Sequence, residues 1–213
     1  MAACLICGGT GTDAAGNICT ACNAASRATD ITTPWIPVAY QRLKFSPDAL
    51  PLEYKGWGQE LVNLQRNIVN GIETGNILLC SPFRSGKTVW SYDILKTAGA
   101  MGWEICQIYD INEISNFLKS YRNEDADIVK KISSVRMLIV RIPNALPYNL
   151  VDAIQTLLYR RVRNNGFTIF LYSGYYKDLK EMVPHQSAFE NLMGDGTMTS
   201  IRPILMHKNK EVN

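Results

Sequence analysis

Residues 76–88 read NILLCSPFRSGKT, and VWSYDILKTAGAMG follows at 89–102. A short apolar run bounded by a loop and then a helix-forming stretch reads as a buried strand, a turn and a helix. The loop carries the pattern G-x-x-x-x-G-K-[ST] from Ser81 to Thr88, with serine where the first glycine belongs. In that pattern backbone N–H groups wrap phosphates, the lysine reaches the β and γ oxygens, and the Ser/Thr hydroxyl holds Mg²⁺. Gly86, Lys87 and Thr88 fill those roles, and the strand-to-helix setting places the phosphates at a helix N-terminus. Ser81 fits if its backbone avoids positive φ, which glycine alone takes up cheaply. Pro82, Phe83, Arg84 and Ser85 make the loop bulkier and more basic than usual.

Outward from this segment, helical and strand patterns alternate. GWGQELVNLQRNIVNGIETG (56–75) places Leu61, Leu64, Ile68 and Ile72 at helical spacing and is expected to close on Gly75. EICQIYD (104–110) reads as a strand, INEISNFLKSYRN as a helix, VRMLIVRI (135–142) as a strand, YNLVDAIQTLLYRRVRNNG as a helix ended by Gly166, and FTIFLYS (167–173) as a strand. A last short strand is expected near 201–206. Such alternation implies βαβ units, so the fold class is α/β, a P-loop core with a mostly parallel sheet flanked by helices.

The 213 residues, 46% hydrophobic and 19% charged, suffice for one ordinary domain and a small appendage. A net charge of +3 gives no overall basic field, so any nucleic-acid contact would come from a local patch. No run approaches the roughly 18 apolar residues of a membrane span, and the start MAACLICGGTG lacks the pattern of a secretory signal. A cytoplasmic, membrane-free protein with reduced thiols is the expectation.

Four of the six cysteines fall in the first 22 residues. Cys4, Cys7, Cys19 and Cys22 form two C-x-x-C pairs separated by residues 8–18, and four soft sulfur ligands on two tight turns select tetrahedral zinc. Two disulfides or unconnected thiols are the alternatives. Cys80 and Cys106 sit in apolar runs and are expected in the core. NAASRATDITTPWIP reads as a linker, giving a zinc module and linker over 1–33 and a P-loop domain over 34–213.

Hydrolysis needs more than a loop: an acid at the end of a neighbouring strand to hold Mg²⁺, and usually a second to activate water. The third strand instead ends MLIVRIPNA, with Arg141 at the first of those places and Ile142 at the second. Two unit charges about 4 Å apart repel by about 4 kcal/mol at intermediate dielectric, so magnesium would be held poorly. Arg141 would then take the metal's place, pairing its fork of donors with the phosphates of ATP or ADP. Asp110 lies on a strand expected at the edge.

From about 35 to 193 the order of features resembles the DnaC/DnaI-type replicative helicase loaders and the related IstB-type transposition ATPases of the AAA+ class. WIPVAYQRLKF resembles the segment that opens their ATPase domain, GNILLCSPFRSGKT their Walker A loop, VRMLIVRIP their Walker B strand, and AIQTLLYRRVRNNGFTIFLYSG their sensor-1 strand with the helix before it. The resemblance implies a nucleotide-binding replication protein with a replicative helicase as partner. DnaI-type loaders also carry a zinc-bearing helicase-binding region, which suits the cysteine module. Departures concentrate in catalysis: Arg141 and Ile142 replace the Walker B acids, Gly174 the sensor asparagine, and Glu190 stands near where the family places its arginine finger. No catalytic residue is therefore assigned, and nucleotide binding without efficient turnover is expected. The basic run Arg160, Arg161 and Arg163 allows contact with single-stranded DNA or with another copy in a homo-oligomer, a solvated helix face being the alternative. The leading reading is a helicase-loader-like protein of a phage or mobile element. A non-enzymatic adaptor or inhibitor on a relic fold and an IstB-like transposition regulator are the alternatives.

Overall fold

The computed structural model describes residues 35–182 apart from 74, 121 and 145, together with 19, 190, 191, 193 and 201–205. Cys4, Cys7 and Cys22 lie outside the described residues. The described chain divides into two compact units, one of residues 35–73 and 86–105 and one of residues 75–85 and 106 onward.

The second unit holds the sheet. Its strands β1 (Asn76–Cys80), β2 (Tyr109–Asp110), β3 (Met137–Ile142), β4 (Phe167–Tyr172) and β5 (Ile201–Leu205) lie in the order β2-β3-β4-β1-β5, and every neighbouring pair is parallel. Parallel pairing requires crossovers, and helices α4 (Ile111–Lys119), α5 (Asn123–Ser134) and α6 (Tyr148–Val162) serve that role, with α7 (Tyr176–Met182) following β4. β1 and β4 are buried at every residue, which is why they read as unbroken apolar runs. Cys80 and Cys106 are core residues, as their apolar surroundings imply. On β5 Pro203 stands opposite Leu78.

Two expectations for this unit are corrected. The second strand is not 104–110 but only Tyr109–Asp110. Tyr109 pairs with Val140 and Asp110 with Arg141, and among the described residues the ladder to β3 holds these two pairs alone. The expected single helix after it ends at Lys119, and α5 follows as a separate helix. Asp110 opens α4 in a capping box, its backbone N–H donating to Glu113 Oε2 at 2.8 Å.

In the first unit α1 (Val38–Gln41) precedes α2 (Lys55–Val69) and α3 (Lys87–Ala100). α2 buries Trp57, Leu61, Leu64 and Ile68, and Trp90 Nε1 of α3 donates to Leu61 O at 2.9 Å. The expected end at Gly75 is wrong. Gly71 at φ 71° donates to Ile68 O and Ile72 N–H to Asn67 O, a Schellman closure that stops the helix and leaves Ile72 exposed. Lys96, fully buried on α3, is satisfied by Asp93 at 3.5 Å and by Leu43 O, while Gln65 Nε2 of α2 reaches Asp93 and Thr97.

Candidate functional site

The strand–loop–helix reading holds: β1 ends at Cys80 and α3 begins at Lys87, with the loop between them. The division between the two units falls inside this loop, between Ser85 and Gly86. On the strand side Ser81 and Ser85 are buried and their hydroxyls lie 2.7 Å apart, which draws the ends of the turn together. Ser81 avoids positive φ, so serine is tolerated there. Left-handed backbone falls instead at Arg84, φ 64°. Phe83 and Arg84 are exposed at the tip.

On the helix side Gly86 is the N-cap of α3 at φ 85°. A Cβ there would lie 2.8 Å from Leu50 Cδ2 and from Phe45 Cε2. Glycine is thus required twice, by conformation and by space. No motif in the sequence links Phe45 and Leu50 to the loop, because they press on it only once the chain has folded. No side chain caps the first turn of α3, whose early N–H groups have no intrahelical partner by construction. Lys87 is buried, its carbonyl accepting from Ser91 Oγ at 2.7 Å, and Thr88 is exposed. A helix start of this kind, with a positive end of about half a charge, suits an anion.

Arg141 sits near the carboxyl end of β3, half-buried, opposite Leu171 of β4, which in turn lies opposite Leu79 of β1. Two strand spacings put its backbone about 10 Å from that of Leu79. Ser81–Ser85 and Arg141 thus belong to the same carboxyl edge of one sheet, where open parallel sheets take their ligands. Ile142 is buried. Asp110 is engaged as a helix cap, and among the described residues no group of three or more His, Cys, Asp or Glu could hold a metal. Cys19 is buried, but the fit of zinc turns on cysteines outside the described residues.

The basic run on α6 is not one face. Successive helical residues are about 100° apart, so Arg160 and Arg163 share a side and Arg161 points away. Arg161 is fully buried: Nε donates to Thr168 Oγ1 at 2.9 Å, and the terminal nitrogens donate to Ile132 O and, at 2.5 Å, to Phe167 O. Burial pulls its pKa down to about 10, with Cys106 acting in the opposite direction, so it stays charged at neutral pH. The signal was legible, since Arg161 continues the apolar stripe Ile154, Leu157, Leu158. Glu190 pairs with Lys180 at 3.4 Å.

A parallel sheet ordered 2-3-4-1-5 with a phosphate-type loop after β1 defines a P-loop α/β protein. No family model matches the chain, and no curated protein sequence does. Solved structures do. A DnaI structure is 17% identical, with a TM-score of 0.56 over 80% of this chain and 94% of that one. The DnaC helicase loader is 11% identical, with a TM-score of 0.54 over 79% and 99%. AMPPCP-bound DnaA from Aquifex aeolicus is 10% identical, with a TM-score of 0.53 over 81% of this chain and 52% of that one. The chain shares the fold of these structures. No helix among the described residues is long and apolar enough to cross a membrane.

Proposed function

We propose that the protein is a helicase-loader-like replication factor that binds ATP or ADP through Ser81–Thr88 and hydrolyses it negligibly. Its cysteine module, with zinc on Cys4, Cys7, Cys19 and Cys22, docks the partner, a replicative helicase, in the cytoplasm. The observation that carries the reading is likeness to a helicase-loader structure over four-fifths of the chain, joined to a loop whose Gly86 is held by Phe45 and Leu50. In the loop the α3 N-terminus and Lys87 supply donors and positive charge to phosphate oxygens, while Arg141 supplies a permanent cation on the same sheet edge as Ser81–Ser85. Magnesium, where bound, would screen phosphate charge, with the Thr88 hydroxyl to hold it. Without an acid to position water, little catalysis is left.

The test pairs nucleotide affinity, with and without Mg²⁺, with steady-state phosphate release and capture of a hexameric helicase from host extract. Binding that barely responds to Mg²⁺, negligible release and helicase capture are expected. Turnover near one per second that is lost in Lys87→Ala would refute the inactive reading. A non-enzymatic adaptor on the same fold is the second reading, favoured by Arg141, and capture of a different protein with no nucleotide binding would establish it.

A further inference from the structure

The last turns of α5 and α6 and the end of α4 border an open hollow of about 550 Å³, within the range of ligand pockets. Phe117, Lys130, Ser133, Arg160, Arg163 and Asn164 are among its lining residues, and no carboxylate is. Among the described residues Lys130, Arg160 and Arg163 make no ion pair. Arg163 lies over the Tyr159 ring at 5.0 Å, which restrains its guanidinium. Asp152 borders the adjoining hollow that shares the two arginines, without pairing with either.

Ser133 adds an independent observation. It is 8% exposed, and its Oγ has no hydrogen-bond partner. A buried hydroxyl without a partner costs about 1–3 kcal/mol, so an acceptor delivered here would be rewarded. Asn164 Nδ2 donates to Ser133 O at 3.0 Å and ties the ends of α5 and α6 together. The adjacent Ile132 O accepts from Arg161, whose buried charge meets only neutral oxygens.

The helix ends oppose an anion, each C-terminus carrying about half a negative charge. Three cations outweigh three such ends, leaving a net charge of about +1.5 before Arg161 is counted. Guanidinium forks and an ammonium match tetrahedral oxyanions better than a lone carboxylate.

We propose that this hollow is a second anion site that takes a phosphate group, separate from the loop at 81–88. Arg160 and Arg163 grip it, Lys130 adds a point charge, and Ser133 Oγ donates to an oxygen. The group belongs either to a small phosphorylated molecule or to the backbone of a single strand of nucleic acid.

The test reads phenylglyoxal modification of Arg160 and Arg163 in the full chain by peptide mass spectrometry, with buried Arg161 as the unreactive control. Inorganic pyrophosphate and a single-stranded oligothymidylate are the two probes, each used on the natural chain and on Lys87→Ala. At least one probe should slow modification of both arginines about tenfold, equally in Lys87→Ala, and Lys130→Ala or Ser133→Ala should weaken the protecting probe's affinity about tenfold. Protection by pyrophosphate identifies the small molecule as source, and protection by the oligonucleotide alone identifies the strand. Lys130 is exposed and Ser133→Ala removes only an unsatisfied oxygen, so both variants should stay folded. No protection by either probe overturns the proposal. Protection that vanishes in Lys87→Ala, or survives in both hollow variants, also overturns it.

Discussion

Gly86 shows how much one missing methyl can do. In Gly86→Ala the new Cβ would meet Leu50 and Phe45 at 2.8 Å while the backbone holds φ 85°. A cost of about 1–3 kcal/mol follows from the left-handed backbone and the overlap together, read by chemical denaturation, with nucleotide affinity falling in parallel. Arg161→Lys tests a different economy. One ammonium cannot serve Thr168 Oγ1, Ile132 O and Phe167 O in their fixed fork, so about 2–4 kcal/mol should be lost although the charge is kept. Of these two residues the sequence made the first legible through its motif. The burial of the second was written in the α6 stripe but hidden by its charged neighbours. Phe45 and Leu50 left no trace, because their role arises from tertiary contact alone.

Among the elements, long apolar runs were legible and short or edge segments were not. β1, β3 and β4 stood out since burial on both faces demands continuous apolar sequence. β2 was overextended because the apolar sequence before Tyr109 forms no ladder with β3 among the described residues. α5 has acids in its first turn and buries Val129 and Ile132, a helical spacing with a proper start that lay within a mainly polar stretch. The end of α2 was misplaced by four apolar residues at the right spacing, and a Schellman closure overrode the last of them. Gly71→Ala should cost about 1 kcal/mol, less than Gly86→Ala, because a Cβ at Gly71 meets nothing within 4 Å. Asp110→Ala should cost about 1 kcal/mol by thermal or denaturant unfolding and leave nucleotide affinity unchanged, as befits a cap and not a metal ligand.

At the scale of the molecule, the fold class and the parallel pairing of the strands agree with what the alternating pattern implied. The reading of residues 1–33 as a zinc module gives its own expectation. Metal analysis should find about one zinc per chain, and chelation should abolish partner capture while nucleotide affinity persists. Zinc below a tenth of that level in protein purified without chelators would remove the module from the account.

The placement of Pro203 has a bearing on how the protein behaves in company. A sheet border exposes backbone groups onto which a stranger's strand can zip, the first step of swapping and of fibril growth. Among the described residues β5 has no neighbour beyond it, and its middle residue has no amide hydrogen to offer. The opposite border, β2, is only two residues long and presents too short a template for such recruitment. Both borders described thereby keep this sheet from joining another copy's.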